Sequence, residues 1–207
     1  MTKWELMLIA VDDEAVNGTM IFIRHAKAFH NRYKNKPYEY PGPELSKGGI
    51  RQARKLRKFF LQLRFDRCYY SPFQRTRETA LIVFGKSCNL EESSEWGEIG
   101  QDESAVELRD RIERWARKHF PKNGRIEAVV SHAGPIRAAI EIWAPHLVQH
   151  AVVYDQGNIV PEAGLVLMCW KSGKVVASEL LSSNHTDLTK VRIFCSQIDK
   201  DKKDEDP

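Results

Sequence analysis

Residues 126–143 read IEAVVSHAGPIRAAIEIW. A short apolar run, Ile126 to Val130, ends on Ser131-His132 and passes straight into an eleven-residue segment with helical character. The run predicts a buried strand and the segment a helix. A strand that opens directly into a helix is half of a β-α-β unit, so the rest of the chain is read for its repetition.

The repetition is there. Upstream, NGTMIFIRH gives a turn signal and then a buried strand over Thr19 to Ile23. A helix follows from about Ser46 to Leu63, because Ile50, Ala53, Leu56, Phe60 and Leu63 recur at three- and four-residue steps. DRCYYSP predicts a second strand, after which Ser71 is placed to cap a helix with Pro72 at its first position, running to about Phe84. A loop rich in Glu, Ser and Gly leads to a helix over about Glu103 to Phe120, with Ala105, Leu108, Ile112, Trp115 and His119 on one side. Downstream, AGLVLMCW and KVVASELL predict two strands joined at Ser172-Gly173. The alternation predicts a three-layer α/β/α sandwich with a mostly parallel central sheet. No repeat or linker divides the chain, so residues 1–207 are read as one domain. Residues 1–18 form an N-terminal extension in which ELMLIAV fits either an edge strand or a short helix, and residues 197–207 are read as a disordered charged tail.

Composition sets the outer limits. The chain has 207 residues, 42% of them hydrophobic and 29% charged, the balance of a soluble globular protein with a sizeable core. A net charge of +4 suits anionic ligands but is too small to argue for nucleic acid. Cys68, Cys88, Cys169 and Cys195 include no CxxC pair and read as reduced thiols. No signal peptide and no membrane-length apolar run is visible, so the expected compartment is the cytoplasm.

In a parallel sheet, ligands sit beyond the carboxyl ends of the strands. Arg24 and His25 lie at the end of the first strand, Arg75 in the first turn of the helix after the second, and His132 at the end of the third. Parallel strands bring these four to one edge, where a helix amino terminus also favours an anion. Two arginines, two histidines and a helix start suit a group with several negative oxygens, and phosphate fits the forked guanidinium geometry. Taken singly, Arg24-His25 could be a solvated strand end, SPFQRTRETA a capped basic helix and VVSHAGPIR a strand-to-helix turn. Their combination and order carry the signal.

The sequence resembles the histidine phosphatase superfamily, the phosphoglycerate mutase-like family. That family's Arg-His-Gly, with an asparagine six residues beyond the histidine, is matched by Arg24, His25, Ala26 and Asn31. SPFQRTRETA matches Ser-Pro-x-x-Arg-Thr-x-x-Thr-Ala at every fixed place, and SHAGPIR is similar to Ser-His-Gly-Gly-x-Ile-Arg. LSKGGIRQA resembles Leu-Thr-x-x-Gly-x-x-Gln-Ala, and DESAVELRDRI resembles Gly-Glu-Ser-x-x-Asp-x-x-x-Arg-Val. The likeness runs from about Met20 to Leu180. Ala26 and Ala133 depart from it by replacing glycines, and Ala28 stands where many members carry Ser or Thr.

The resemblance implies a phosphoglycerate mutase-like fold of the small phosphatase branch. It implies that neutral His25 attacks phosphorus to form phosphohistidine. Arg24, Arg75 and His132 would hold the equatorial oxygens, with Asn31 as a further donor, and neither metal nor cofactor is needed because the arginines supply the positive charge. A leaving alkoxide needs a proton. Of Glu95, Glu98 and Glu103, Glu98 fits the family's Glu-Ile-Gly pattern, Glu95 is the runner-up, and Glu103 suits a helix start. The short interval from Glu98 to Ser104 lacks the long insertions of phosphoglycerate mutases and favours a phosphatase. The loop from Arg32 to Pro43 offers Arg32, Lys34 and Lys36 to a second anionic group and Tyr33, Tyr38 and Tyr40 for stacking, although a solvated loop explains them equally well. The expected substrate is a small phosphomonoester or a phosphoprotein, with no membrane or nucleic-acid partner. A phosphomutase of the same fold, a non-catalytic phospho-ligand-binding module, and nucleic-acid binding through the basic segment RQARKLRK are the alternatives. His146 and His150, four residues apart, lack the HExxH pattern and read as ordinary surface histidines.

Overall fold

The computed structural model describes residues 18–29, 41–61, 63–121, 124–149, 158–172 and 174–181. Asn31 and the loop through residue 40, the extension before residue 18, His150, Cys195 and the charged tail lie outside the described residues.

The first strand, β1 (Gly18–Arg24), is buried along its whole length. Helix α1 (Lys47–Phe59) starts at Ser46, whose hydroxyl accepts from the Gly49 N–H, and it buries Gly49, Ala53 and Leu56. Strand β2 (Arg67–Tyr70) is followed by α2 (Gln74–Val83). This helix begins two residues later than the Ser-Pro pattern predicts. Its N-cap is Phe73, which makes no side-chain cap bond, because Thr76 Oγ1 donates to the Ser71 and Phe73 carbonyls and closes that turn instead.

The Glu/Ser/Gly-rich stretch expected to be loop contains a further strand, β3 (Asn89–Glu92), paired with β2, and a 3₁₀ turn (Ser94–Trp96). Helix α3 (Ala105–His119) opens on a capping box formed by Ser104 and Glu107. Ala105, placed on the apolar side by spacing, is exposed, while Leu108, Ile112, Trp115 and Ala116 are buried. Strand β4 (Arg125–Ser131), α4 (Ala133–Trp143), the single turn α5 (His146–Gln149), and strands β5 (Leu165–Lys171) and β6 (Lys174–Leu181) complete the order.

The six strands lie in the order β3-β2-β4-β1-β5-β6. Pairs β3/β2, β2/β4 and β4/β1 are parallel, and β5 runs antiparallel to both β1 and β6. Ile21, Ile23, Cys68, Ala128 and Val130 face a core covered by Ala53 and Leu56 of α1, Phe60 just after it, and Ala80 and Val83 of α2. Met20, Phe22, Tyr69 and Val129 face the other core, covered by Leu108, Ile112 and Trp115 of α3 and Ile136 and Ile140 of α4. The alternation of adjacent residues between two apolar faces is the period of a strand buried on both sides. Cys68, Cys88 and Cys169 are free thiols. No described helix is long and apolar enough to cross a membrane.

Candidate active site

Parallel pairing aligns the strand ends. Arg24 is in register with Ser131, and Tyr70 with Val130. The ladder continues one step beyond the strands, through His25 N–H to Ser131 O at 2.9 Å and Ser71 N–H to Val130 O at 3.0 Å. Arg24, His25, Ser71 and His132 therefore meet at one edge, and Arg75 reaches it from the first turn of α2.

The groups are recessed. His132 is fully buried, and His25 and Arg75 are each 3% exposed. Arg24 donates from one terminal nitrogen to Val160 O at 2.8 Å, and Arg75 lies over the Phe73 ring, 4.7 Å from its centroid. The His25 and His132 rings sit 5.3 Å apart, edge to face.

Hydrogen bonding fixes the two imidazoles. His25 Nδ1 lies 2.9 Å from Ala26 O. A carbonyl only accepts, so Nδ1 carries the hydrogen and, in the neutral ring, Nε2 carries the lone pair. His132 is oriented the other way round. Its Nδ1 lies 3.0 Å from Arg75 NH2, which only donates, so Nδ1 accepts and Nε2–H donates to Ser71 Oγ at 2.8 Å. Burial, reinforced by the positive charge of Arg75, holds the His132 pKa well below its ordinary value. Ser71, expected as a helix cap, instead fixes this tautomer.

Three glutamates were candidates from the sequence, and the fold sends them to different places. Glu98 Oε2 is 3.6 Å from His132 Nδ1 and 3.9 Å from Arg75 NH2, and its side chain is 14% exposed. Burial raises its pKa, opposed by Arg75, the Ile99 N–H and Arg24. Gly134 passes so close that a Cβ there would stand 3.1 Å from Glu98 Oε1. Glu95 turns to Ser93 and Ser94. Burial would raise its pKa, but hydrogen bonds from its own backbone N–H and the two serines bring it below the usual value. Glu103 is not in the helix: it pairs with Arg111 in two bonds of 2.7 Å, which hold its carboxyl low.

Several supporting residues were not singled out by sequence reasoning. Arg111 also donates to Glu95 O and Gly97 O, the carbonyls on either side of Trp96 in the segment before Glu98. Thr79 Oγ1 accepts from the Ala26 N–H, and Gln52 Oε1 from the Lys27 N–H. Lys27 O accepts from both the N–H and the hydroxyl of Ser46, and α1 approaches so closely that a Cβ on Gly49 would lie 2.0 Å from that oxygen. Ala163, at φ 56°, donates its N–H to His25 O. The signals were present in the Gly-x-x-Gln and Ser-x-x-Asp-x-x-x-Arg patterns, but spacing does not say which backbone atoms such residues hold. The methyl of Ala26 is absorbed in the core beneath α1 and α2, and Ala133 is half-buried at the start of α4. His146 Nε2 meets Ser178 Oγ at 2.9 Å.

Residues 20–101 match the family model of the histidine phosphatase superfamily (branch 1). No curated protein matches the sequence. Solved structures with the same fold include a phosphoglycerate mutase from Bacillus anthracis, with TM-score 0.67 and 16% identity, covering 85% of this chain and 97% of that one. An alpha-ribazole phosphatase from Shigella flexneri has TM-score 0.64 and 16% identity, covering 80% and 96%. A phosphoserine phosphatase from Entamoeba histolytica has TM-score 0.61 and 17% identity, covering 81% and 98%. At these identities the likeness establishes the phosphoglycerate mutase-like fold. Over residues 20–101 the chain is similar to the histidine phosphatase superfamily, and its fold is phosphoglycerate mutase-like.

Proposed function

We propose that the chain is a metal-independent phosphatase that hydrolyses a phosphomonoester through a phosphohistidine on His25. The observation that carries this reading is the bond between His25 Nδ1 and Ala26 O, which commits the hydrogen to Nδ1 and leaves the Nε2 lone pair for attack. The attack forms an N–P bond as the P–O bond to the leaving group breaks, and the bonding pair goes to the leaving oxygen. Glu98, whose pKa burial raises, is the proposed donor of a proton to that oxygen. Ionised Glu98 then takes a proton from water as the water oxygen attacks phosphorus. The N–P bond breaks, its electron pair returns to Nε2, and phosphate leaves.

Arg24 and Arg75 are proposed to hold the equatorial oxygens and balance their charge. His132 is proposed to grip a phosphoryl oxygen through the Nε2–H that here meets Ser71, and to fix Arg75 through Nδ1. Asn31, outside the described residues, is the proposed further donor. The short connection from Glu98 to the Ser104 cap supports a phosphatase rather than a mutase. The substrate class is a small phosphomonoester or a phosphoprotein.

The test is phosphate release from a small aryl phosphate with chelator present, for the wild type and His25→Ala. The wild type is expected to turn over and to yield an acid-labile, alkali-stable phosphoprotein on quenching, and the variant to do neither. Unchanged turnover in the variant overturns the reading. Transfer of phosphate within one substrate, without release, moves it to a phosphomutase.

A further inference from the structure

Helix α1 carries six cations, Lys47, Arg51, Arg54, Lys55, Arg57 and Lys58, and no acidic residue. All six are exposed, and none forms an ion pair with an Asp or Glu among the described residues. The contrast with α3 is plain, since Glu107, Asp110 and Glu113 interrupt its cations. At about 100° per residue, Lys47, Arg51, Arg54 and Lys58 fall in one line along α1, opposite the buried Ala53 and Leu56. Eleven residues separate the first from the last, a ridge about 16 Å long. It starts at the candidate site: the N–H of Ser46, the α1 cap, bonds Lys27 O, two residues from His25, and Lys27 itself is exposed at the head of the line.

We infer that this ridge docks an acidic, extended segment of a phosphoprotein whose phosphorylated side chain enters the recessed site. The inference rests on the phosphatase reading and adds a substrate class to it. A ridge of about 16 Å matches about five residues of extended peptide at ~3.3 Å each. The array is one helix wide and linear, the shape of a single chain of carboxylates rather than of a bilayer plane. Nucleic-acid single strands are held by exposed aromatic rings as well as cations. The exposed large apolar side chains among the described residues are Leu61, Leu81 and Val106, none aromatic. The site is deep, with His25 and Arg75 each 3% exposed, so the phosphate must arrive on a slender arm.

The experiment compares two phosphoserine peptides, one flanked by five aspartates and one by neutral residues. The proteins are the wild type, Arg51→Glu/Arg54→Glu/Lys58→Glu, and the same three positions changed to Gln. Expected is a preference of about tenfold in kcat/KM for the acidic peptide at low salt, from several exposed pairs each of modest strength. The preference should vanish in the Glu variant, weaken in the Gln variant and fade in high salt, with aryl phosphate turnover unchanged throughout. Binding of the fluorescent acidic peptide, read by anisotropy, tests the ridge even if neither peptide is turned over, so failure of the phosphatase reading is told apart from failure of the docking one. Equal kcat/KM and equal binding for the two peptides overturn the inference. So does a preference that survives charge reversal, or tighter binding to phosphatidylserine vesicles or an oligonucleotide than to the acidic peptide.

Discussion

Replacing Gly49 by alanine should separate helix α1 from the chain that carries His25. A Cβ at Gly49 would stand 2.0 Å from Lys27 O and 2.9 Å from its carbonyl carbon, against backbone on both counts. Ordinary contact is above 3 Å, so helix or loop must retreat by more than ~1 Å in a tightly packed region. That movement stretches the bonds from the Ser46 N–H and hydroxyl to Lys27 O, at 2.9 and 3.0 Å, and the bond from the Lys27 N–H to Gln52 at 2.9 Å. Three such bonds at about 1 kcal/mol each suggest a loss near 3 kcal/mol, consistent with the 1–3 kcal/mol typical of overpacking. Gly48 is the internal control. A Cβ there meets nothing nearer than Ser46 Oγ at 3.6 Å, so Gly48→Ala should instead stabilise the helix by about 0.5–1 kcal/mol. Urea unfolding of the two variants measures the difference, and turnover of an aryl phosphate reports whether His25 has moved with Lys27. Equal stability of the two variants, or a stable Gly49→Ala protein with full turnover, would refute the argument.

Glu98→Gln should slow phosphoenzyme formation from an alkyl phosphate by about 10²–10⁴-fold and hardly affect a nitrophenyl phosphate, whose leaving group needs no proton. Because burial raises the Glu98 pKa, the protonated acid persists to higher pH than an ordinary carboxyl. The wild-type alkyl-phosphate rate should therefore fall as pH rises through that raised value, and this limb should be missing in the Gln variant. Arg111→Met should loosen the carbonyls of Glu95 and Gly97 and lower the same alkyl-phosphate rate more than the nitrophenyl rate, which stopped-flow measurements on both substrates would show. Glu127 is buried on β4 with one carboxylate oxygen lacking a hydrogen bond, and burial raises its pKa, opposed by Arg67 and Arg125. A carboxyl whose folded pKa lies above its unfolded one stabilises the fold below the unfolded value and loses that contribution as pH rises through the folded one. Glu127→Gln should thus raise Tm at neutral pH and flatten its rise on mild acidification, as thermal melts across pH would reveal.

The sequence alone determined what depends on local periodicity and order along the chain. The apolar run of β1, the amphipathic stripe of α1 and the direct passage from β4 into α4 each follow from spacing, and alternating elements of those kinds admit few arrangements besides a layered α/β sheet. The placing of Arg24, His25, Arg75 and His132 at one edge then follows from parallel strands. Tertiary structure decided the rest, because the deciding forces come from residues distant in sequence. β3 reads NLEE, mostly exposed and without strand periodicity, and exists because β2 offers it a parallel edge. Ser71 and Pro72 look like a helix start, yet the Ser71 hydroxyl goes to His132, sixty-one residues on. Glu95, Glu98 and Glu103 share one short acidic stretch, and only packing tells them apart. Arg111 claims Glu103, Ser93 and Ser94 hold Glu95, and the approach of α4 at Gly134 closes Glu98 against Arg75 and His132, away from water. Spacing names the carboxylates; desolvation, which only a folded chain imposes, raises the pKa of the one beside the histidines.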